Sequence, residues 1–478
     1  MKSKYKELRV GLIGLGLEAY WSQFEGLEQR LLGYLSELEK EVEGLGRRIV
    51  NLGLVDTPEK GLDAGHACRQ HDVDLLLVYV TTYALSSTVL PVVLRAKVPV
   101  ILLNLQPTSA IEYAEVNRMT DRTAMTGEWL AYCSSCPVPE IANVLKRLDI
   151  PFQQVTGMLH DDPECWEQIE GWLKAAEVVQ ALSHSRLGLM GHYYGGMLDI
   201  ATDLTQVAGR FGVHIEMLEV DELSGLRRNI TPEEIKEKLV QFGEFFEIGS
   251  DCTKTDVDQA ARTSVALDRL VAANDLDLMA YYYKGSGVKE NKETMSSMIL
   301  GTSMLTGASI PVAGEYEVKN VIAMKIMDLL GAGGSFTEYY AMDFVDDVIL
   351  MGHDGPGHVR MAQDRVKVRP LGVYHGKMGN GLSVEMSVKR GPVTLLSVVE
   401  HKERGFTLLV AQGLSVGGEI LEIGNTNSRY RFAVGARRFV EEWNSHGPAH
   451  HCAVGVGHIA DHIRKVGLLL DLDVKQVC

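Results

Sequence analysis

The stretch Leu8–Trp21, LRVGLIGLGLEAYW, decides how the chain begins to fold. An apolar run of strand length breaks into Gly14, Gly16 and Ala19, which spells GxGxxA. In a dinucleotide-binding unit such glycines allow a tight strand-to-helix turn and the next helix N-terminus receives a pyrophosphate. That reading also needs an acidic residue about 20 positions on to hold the ribose. Here the second apolar run, RRIVNLGLV, ends at Asp56, about 40 positions beyond Gly16, and Glu18 puts a negative charge into the turn itself. The stretch therefore reads as the first strand of a parallel sheet turning at its carboxyl edge, with no nucleotide cofactor expected.

Outward from it, strand-length apolar runs alternate with amphipathic segments, the pattern of helices packed on a mostly parallel sheet. A helical stretch over 22–46 is followed by the runs RRIVNLGLV, VDLLLVYVT and VPVILLNLQ. The pattern restarts at RLGLMGHYYGGM (186–197) and continues through VHIEMLEV, LDLMAYYYKG and SIPVAGEYE. Beyond Gly334 the texture changes to alternating strands, as in GLSVEMSVKRGPVTLLSVVEHKERGFTLLVAQG (381–413), with 390–392 and 402–405 reading as hairpin loops. The expectation is an α/β protein: two doubly wound α/β domains, 1–184 and 185–333, followed by a β-rich C-terminal domain, 334–478.

Composition narrows the partners. With 47 Lys plus Arg against 63 Asp plus Glu, the 478-residue chain carries a net charge of −16 and shows no basic cluster. Nucleic acid and anionic membranes would be repelled, so a small neutral or metal-bound ligand is expected. No apolar run approaches the roughly 20 residues of a membrane span. Basic residues precede the first apolar run, but Glu18, Tyr20 and Trp21 stand where a signal peptidase wants small residues, so a cytoplasmic location is expected. The seven cysteines form no disulfide framework, and Cys133-Ser-Ser-Cys136 reads as ordinary thiols.

Candidate metal ligands collect in two places. PVAGEYEVKN (311–320) carries Glu315 and Glu317, GGSFTEYYAMDF (333–344) carries Glu338, and MGHDGPGH (351–358) carries His353 and His358. Far downstream, SHGPAHHCAVGVGH (445–458) adds His446, His450, His451 and His458. Two carboxylates with two imidazoles suit a divalent cation of intermediate hardness such as Mn²⁺, with positions left for substrate oxygens. From a strand, only one of His450 and His451 would face a given site.

The order of GEYEVKN, GGSFTEYY, DDVILMGH and GPAHHCAV resembles the L-arabinose isomerase and L-fucose isomerase superfamily, in which segments like EGDxK, GGTSFMEDY, NDLVLGSH and GGAHH bind the catalytic divalent metal. The resemblance implies Glu315, Glu338, His353 and His451 as metal ligands, with Glu315 and Glu338 also moving protons between adjacent sugar carbons. His450 is the neighbour left aside. It implies a metal-dependent aldose–ketose isomerase working through a metal-stabilised enediol on a pentose, a 6-deoxyhexose or a modified sugar. It further implies a trimer or hexamer with active sites between subunits. The same metal site would equally serve an epimerase or a lyase on a keto-sugar, and a non-catalytic sugar-binding homologue is a further alternative.

Departures from the family point to a changed sugar. The family's GSQHLYG-like loop is replaced by GLGLEAYW, so Tyr20 stands for the family's Tyr, its Gln is missing and Glu18 is added. CSSCPVPEI (133–141) replaces a histidine-bearing segment, and GHYYGGMLDI (191–200), resembling GDNMREV, brings Met197 toward the sugar. Tyr282 and Lys284 offer further aromatic and cationic groups for an altered pocket. Substrate binding is thus expected of Glu18, Tyr20, Met197, Tyr282 and Lys284.

Overall fold

The computed structural model describes residues 6–285, 287–371, 381–403 and 405–478. The chain forms two compact units, residues 1–180 and 181–478. In the first lie strands β1 (Arg9–Leu15), β2 (Arg48–Val55), β3 (Leu75–Val80), β4 (Val100–Gln106) and β5 (Phe152–Met158), joined in one parallel sheet of order β2-β1-β3-β4-β5. Helices cover both faces, so the central strand β3, LLLVYV, is buried at every position and reads as a continuous apolar run rather than an alternating one. The helix Leu27–Gly44 turns Leu27, Leu31, Leu35, Leu38 and Val42 inward at the three- and four-residue spacing of a single helical face. The helix Pro58–Gln70 begins where Thr57 accepts a hydrogen bond from the Lys60 N–H and Pro58 takes the first turn, a position with no use for its missing donor.

The opening glycines have a packing reason. A Cβ on Gly16 would lie 2.8 Å from the Trp21 indole, and the Gly16 N–H donates to Val55 O at 3.0 Å. Trp21 Nε1 donates to Asp56 Oδ2 at 2.7 Å, and Lys60 Nζ lies 2.8 Å from the same oxygen. Only a three-residue 3₁₀ turn, Glu18–Tyr20, follows the loop, and the first α-helix starts at Leu27. The Trp21 indole thus packs directly on Gly16, and the loop is tied to the end of β2 at Val55 and Asp56.

The second unit contains β6 (Arg186–Gly191), β7 (His214–Leu218), β8 (Phe246–Ile248), β9 (Leu278–Tyr282), β10 (Val312–Ala313), β11 (Ser335–Asp343), β12 (Val348–His353), β13 (Val366–Pro370), β14 (Leu382–Glu385), β15 (Gly391–His401), β16 (Gly405–Val416), β17 (Thr426–Phe432), β18 (His451–Val456) and β19 (Asp473–Gln476). A parallel sheet of order β10-β9-β6-β7 continues the α/β pattern. The β-rich region follows as a seven-stranded sheet, β15-β18-β11-β12-β17-β16-β19, in which β15 also pairs with β16 and closes six strands into a ring. Closure removes exposed edges, and the ring packs Val393, Leu395, Leu409, Ala411, Tyr430 and Trp443 into one core.

One expected hairpin is absent. β14 pairs with β13 and β15 with β16 and β18, so 390–392 is a crossing between two sheets rather than a hairpin loop. The 402–405 break does join an antiparallel pair, with His401 opposite Gly405, although Arg404 lies outside the described residues. All seven cysteines are free; burial, with Cys136 adding, pushes the Cys133 thiol up to about 11, which leaves it unreactive near neutrality. No helix among the described residues is long and apolar enough to cross a membrane.

Candidate metal centre

Glu315 stands just past β10, in a turn whose backbone is strained. Glu315 and Tyr316 both have positive φ, 57° and 64°, a left-handed conformation that costs a side-chain-bearing residue of order 1–3 kcal/mol. The turn is held by Tyr316 N–H donating to Tyr281 O and Glu317 N–H donating to Gly314 O, each at 3.0 Å. It ends at Glu317, which begins the helix Val318–Leu329 and is wholly buried.

Glu338 comes from the middle of β11, where it lies directly opposite His451 on β18 and Gly352 on β12. His353 ends β12 one residue later. Phe336, two residues before Glu338 and so on the same face of the strand, places its ring centroid 4.3 Å from that of His353 and 4.5 Å from that of His451. A rigid aromatic floor therefore supports both imidazoles.

Two overlapping triads converge here: Glu338, His353 and His451, and Glu315, His450 and His451, each with one ligand atom per residue lying within 4.8 Å of the others. His451 Nε2 is 3.3 Å from Glu315 Oε2, and His353 Nε2 is 4.0 Å from Glu315 Oε1. On its other side His451 Nδ1 is 3.5 Å from Glu317 Oε2, while Glu317 Oε1 is 3.7 Å from Lys319 Nζ. Lys319, itself buried, donates to the carbonyls of Asp199 at 2.8 Å and Ala201 at 3.2 Å. This is the arrangement in which one ring N–H donates to a carboxylate and the other ring nitrogen is left to face a cation.

The electrostatics show what the cluster lacks. Burial works against a proton on the His451 ring, yet Glu315 and Glu317 outweigh it and push its pKa up to about 9. Burial likewise holds the Glu338 carboxyl above its usual range; His451 and His450 oppose the shift, and Glu315 adds to it. The Nε2 of His451 makes no aligned hydrogen bond among the described residues, although it faces a carboxylate at contact distance. Two carboxylates and three imidazoles in two triads that share His451, with one buried ring nitrogen unaligned with its neighbour, are compatible with a divalent cation. A structural zinc site would close on four ligands, commonly thiolates, and no cysteine belongs to either triad.

The other expected residues divide. The buried Tyr282 hydroxyl is pushed up to about 12 by burial, with Tyr194 and Glu315 adding, so it lies near enough to sense that carboxylate. Met197 is half-buried in the loop after β6, its N–H 3.4 Å from Tyr194 O, and Lys284 is exposed two residues past β9. Glu18, exposed, and Tyr20, half-buried with its ring edge-on to Phe24 at 5.6 Å, belong to the first unit. Of the remaining histidines, His458 Nε2 bonds to Gly413 O at 3.0 Å, His446 ends the helix Ala436–Ser445, and His358 is buried beyond β12.

The alternation rule fails at the paired histidines. β18 begins at His451, so His450 precedes the strand and is free of its alternation; both rings reach the cluster, 3.8 Å apart. Asp199, which orients His450, was missed by sequence reasoning. Its only local signal is a carboxylate two residues after Met197 in GHYYGGMLDI, about 250 residues from its partner.

Over 409 residues the chain is 22% identical to the sulfoquinovose isomerases of Priestia aryabhattai and Priestia megaterium, an alignment covering 85% of this chain and 86% of each relative. No family model matches the chain.

Proposed function

We propose that the protein is a sugar isomerase that interconverts an aldose and a ketose, with a modified sugar as substrate and sulfoquinovose as the first to test. The observation that carries this is the gathering of metal-ligating side chains from four separate segments into two triads that share His451, Glu338 with His353 and Glu315 with His450. The likeness to two sulfoquinovose isomerases over most of both chains supports it.

Isomerisation moves a proton between neighbouring carbons and needs the negative charge that develops on the sugar oxygens to be stabilised. A divalent cation, Mn²⁺ by the donor set, supplies that Lewis-acid stabilisation when bound. Glu315, Glu338, His353 and His451 would hold it. Each carboxylate has two oxygens, so Glu315 and Glu338 can contribute one to the cation and keep the other as base and acid. Glu317 keeps the His451 ring in the tautomer with Nε2 toward the cluster, and Phe336 keeps the floor dry. Tyr282 at the end of β9, with Met197 and Lys284 in the loops after β6 and β9, would line the sugar pocket. A homo-oligomer follows from the family resemblance.

The test is incubation of Mn²⁺-loaded protein with sulfoquinovose and a panel of aldoses, followed by NMR. A ketose product is expected. Binding without any conversion would overturn the reading in favour of a non-catalytic sugar binder, whereas an epimer or a cleaved product would replace isomerisation by the corresponding reaction.

A further inference from the structure

The five side chains of the cluster are graded in exposure. The His451 and His353 side chains are 0% and 6% exposed, Glu315 12%, Glu338 29% and His450 36%. The first two lie at the bottom of the site and His450 at its mouth, on the side from which a ligand arrives.

His450 is also held more firmly than an exposed histidine usually is. Its Nδ1 lies 2.6 Å from Asp199 Oδ2, and its backbone N–H donates to the same oxygen at 3.0 Å. Those two bonds fix both the ring's position and its tautomer: Nδ1 carries the hydrogen and Nε2 is left as an acceptor. That Nε2 is 3.9 Å from Glu315 Oε2 and 3.9 Å from Glu338 Oε2, too far for a hydrogen bond to either. It therefore faces the gap between the two carboxylates, neither of which lies within hydrogen-bond distance of it. Asp199 is itself anchored, because Lys319 binds its carbonyl. The same lysine approaches Glu317, so one buried ammonium braces the supports of both histidines.

We propose that His450 accepts a hydrogen bond from a hydroxyl group of the sugar, with Asp199 as the residue that positions it, and that His450 is not a metal ligand. The inference rests on the sugar-isomerase reading above. The His451 Nε2 is enclosed 3.3 Å from Glu315 Oε2, whereas the His450 Nε2 lies 3.9 Å from the same oxygen on a side chain that is 36% exposed.

Two readouts test it, neither dependent on turnover: Mn²⁺ affinity by electron paramagnetic resonance, and the effect of D-glucitol, an unreactive polyol, on the bound Mn²⁺ signal. His450→Gln keeps a polar group near the Nε2 position and His450→Asn one near Nδ1 only; Asp199→Asn keeps an oxygen acceptor and Asp199→Ala does not. The Mn²⁺ affinity is expected to stay within about twofold in all four. Polyol binding should weaken about tenfold in His450→Asn and Asp199→Ala, the worth of one hydrogen bond, and recover substantially in His450→Gln and Asp199→Asn. With sulfoquinovose as substrate the loss should fall on KM more than on kcat.

A tenfold or greater loss of Mn²⁺ affinity in the His450 variants would make His450 a fifth ligand and overturn the inference. So would polyol binding equal to wild type in all four, in a protein that still turns over sulfoquinovose, and the proposed activity would then stand. Wild-type protein that takes neither Mn²⁺ nor polyol would overturn the activity and the inference together.

Discussion

The loop after β1 and the cluster around β11 and β18 both gather polar groups at strand ends, and they resolve them in opposite ways. In the loop, the Gly16 N–H, the Trp21 indole and the Lys60 ammonium each find a protein oxygen, and Asp56 receives two of them. These donors are spent within the protein, although Asp56 Oδ1 beside them is buried with no hydrogen-bond partner among the described residues. In the cluster, two carboxylates and three imidazoles crowd together and are only partly compensated: His451 is pushed toward the charged form and Glu338 toward the neutral one. A motif's spelling drew attention to the loop, but the geometry of charge singles out the cluster. A site meant for a ligand shows itself by what its own residues leave unresolved.

The contrast can be broken most severely at the carboxylates. Replacing Glu338 with Gln keeps the shape of β11 and removes the proposed base, so kcat should fall about 10²–10⁴-fold, measured by product NMR with Mn²⁺ in excess. A pH titration of Mn²⁺ affinity comes next. A proton on His451 competes with the cation up to a pKa of about 9, against roughly 6.5 for a free imidazole, so affinity should rise about tenfold per pH unit between those values and level off above. The sign reverses for the metal-free fold: the stabilisation from protonated His451 is full below about pH 6.5 and is lost as pH rises through 9, which denaturant titration in EDTA would register.

Glu317→Gln weakens the grip on His451 Nδ1 without touching a ligand, and should cost about 10–100-fold in Mn²⁺ affinity by equilibrium dialysis. The smallest effect belongs to the loop. Gly16→Ala drives a methyl group into the Trp21 ring and should lower unfolding stability by about 1–3 kcal/mol, while Mn²⁺ affinity stays at the wild-type value. Loss of metal on that substitution would erase the distinction between the two regions.

Much of this was legible in the chain because it is local. The run LLLVYV and the inward stripe Leu27, Leu31, Leu35, Leu38 and Val42 announce their elements through spacing alone, since periodicity is a property of neighbouring residues. The α/β class and the β-rich C-terminal region followed from such signals. Glu315, Glu338, His353 and His451 were marked by residue type and by the order of four motifs. The 390–392 break was misjudged because whether β15 folds back on β14 or joins another sheet depends on partners far along the chain.

By itself, then, the sequence determined the elements, the net negative charge of the chain, and the kinds of side chain available for metal chemistry. Only the tertiary structure decided which of them meet. It brought Asp199 to His450 and Glu317 to His451, carried both histidines to the site by starting β18 one residue late, and filled the glycine loop with Trp21. The reason is one of range: helix and strand signals act over a few residues, whereas the tautomer of a ring or the charge of a carboxyl is set by groups hundreds of positions away that only folding brings within 4 Å.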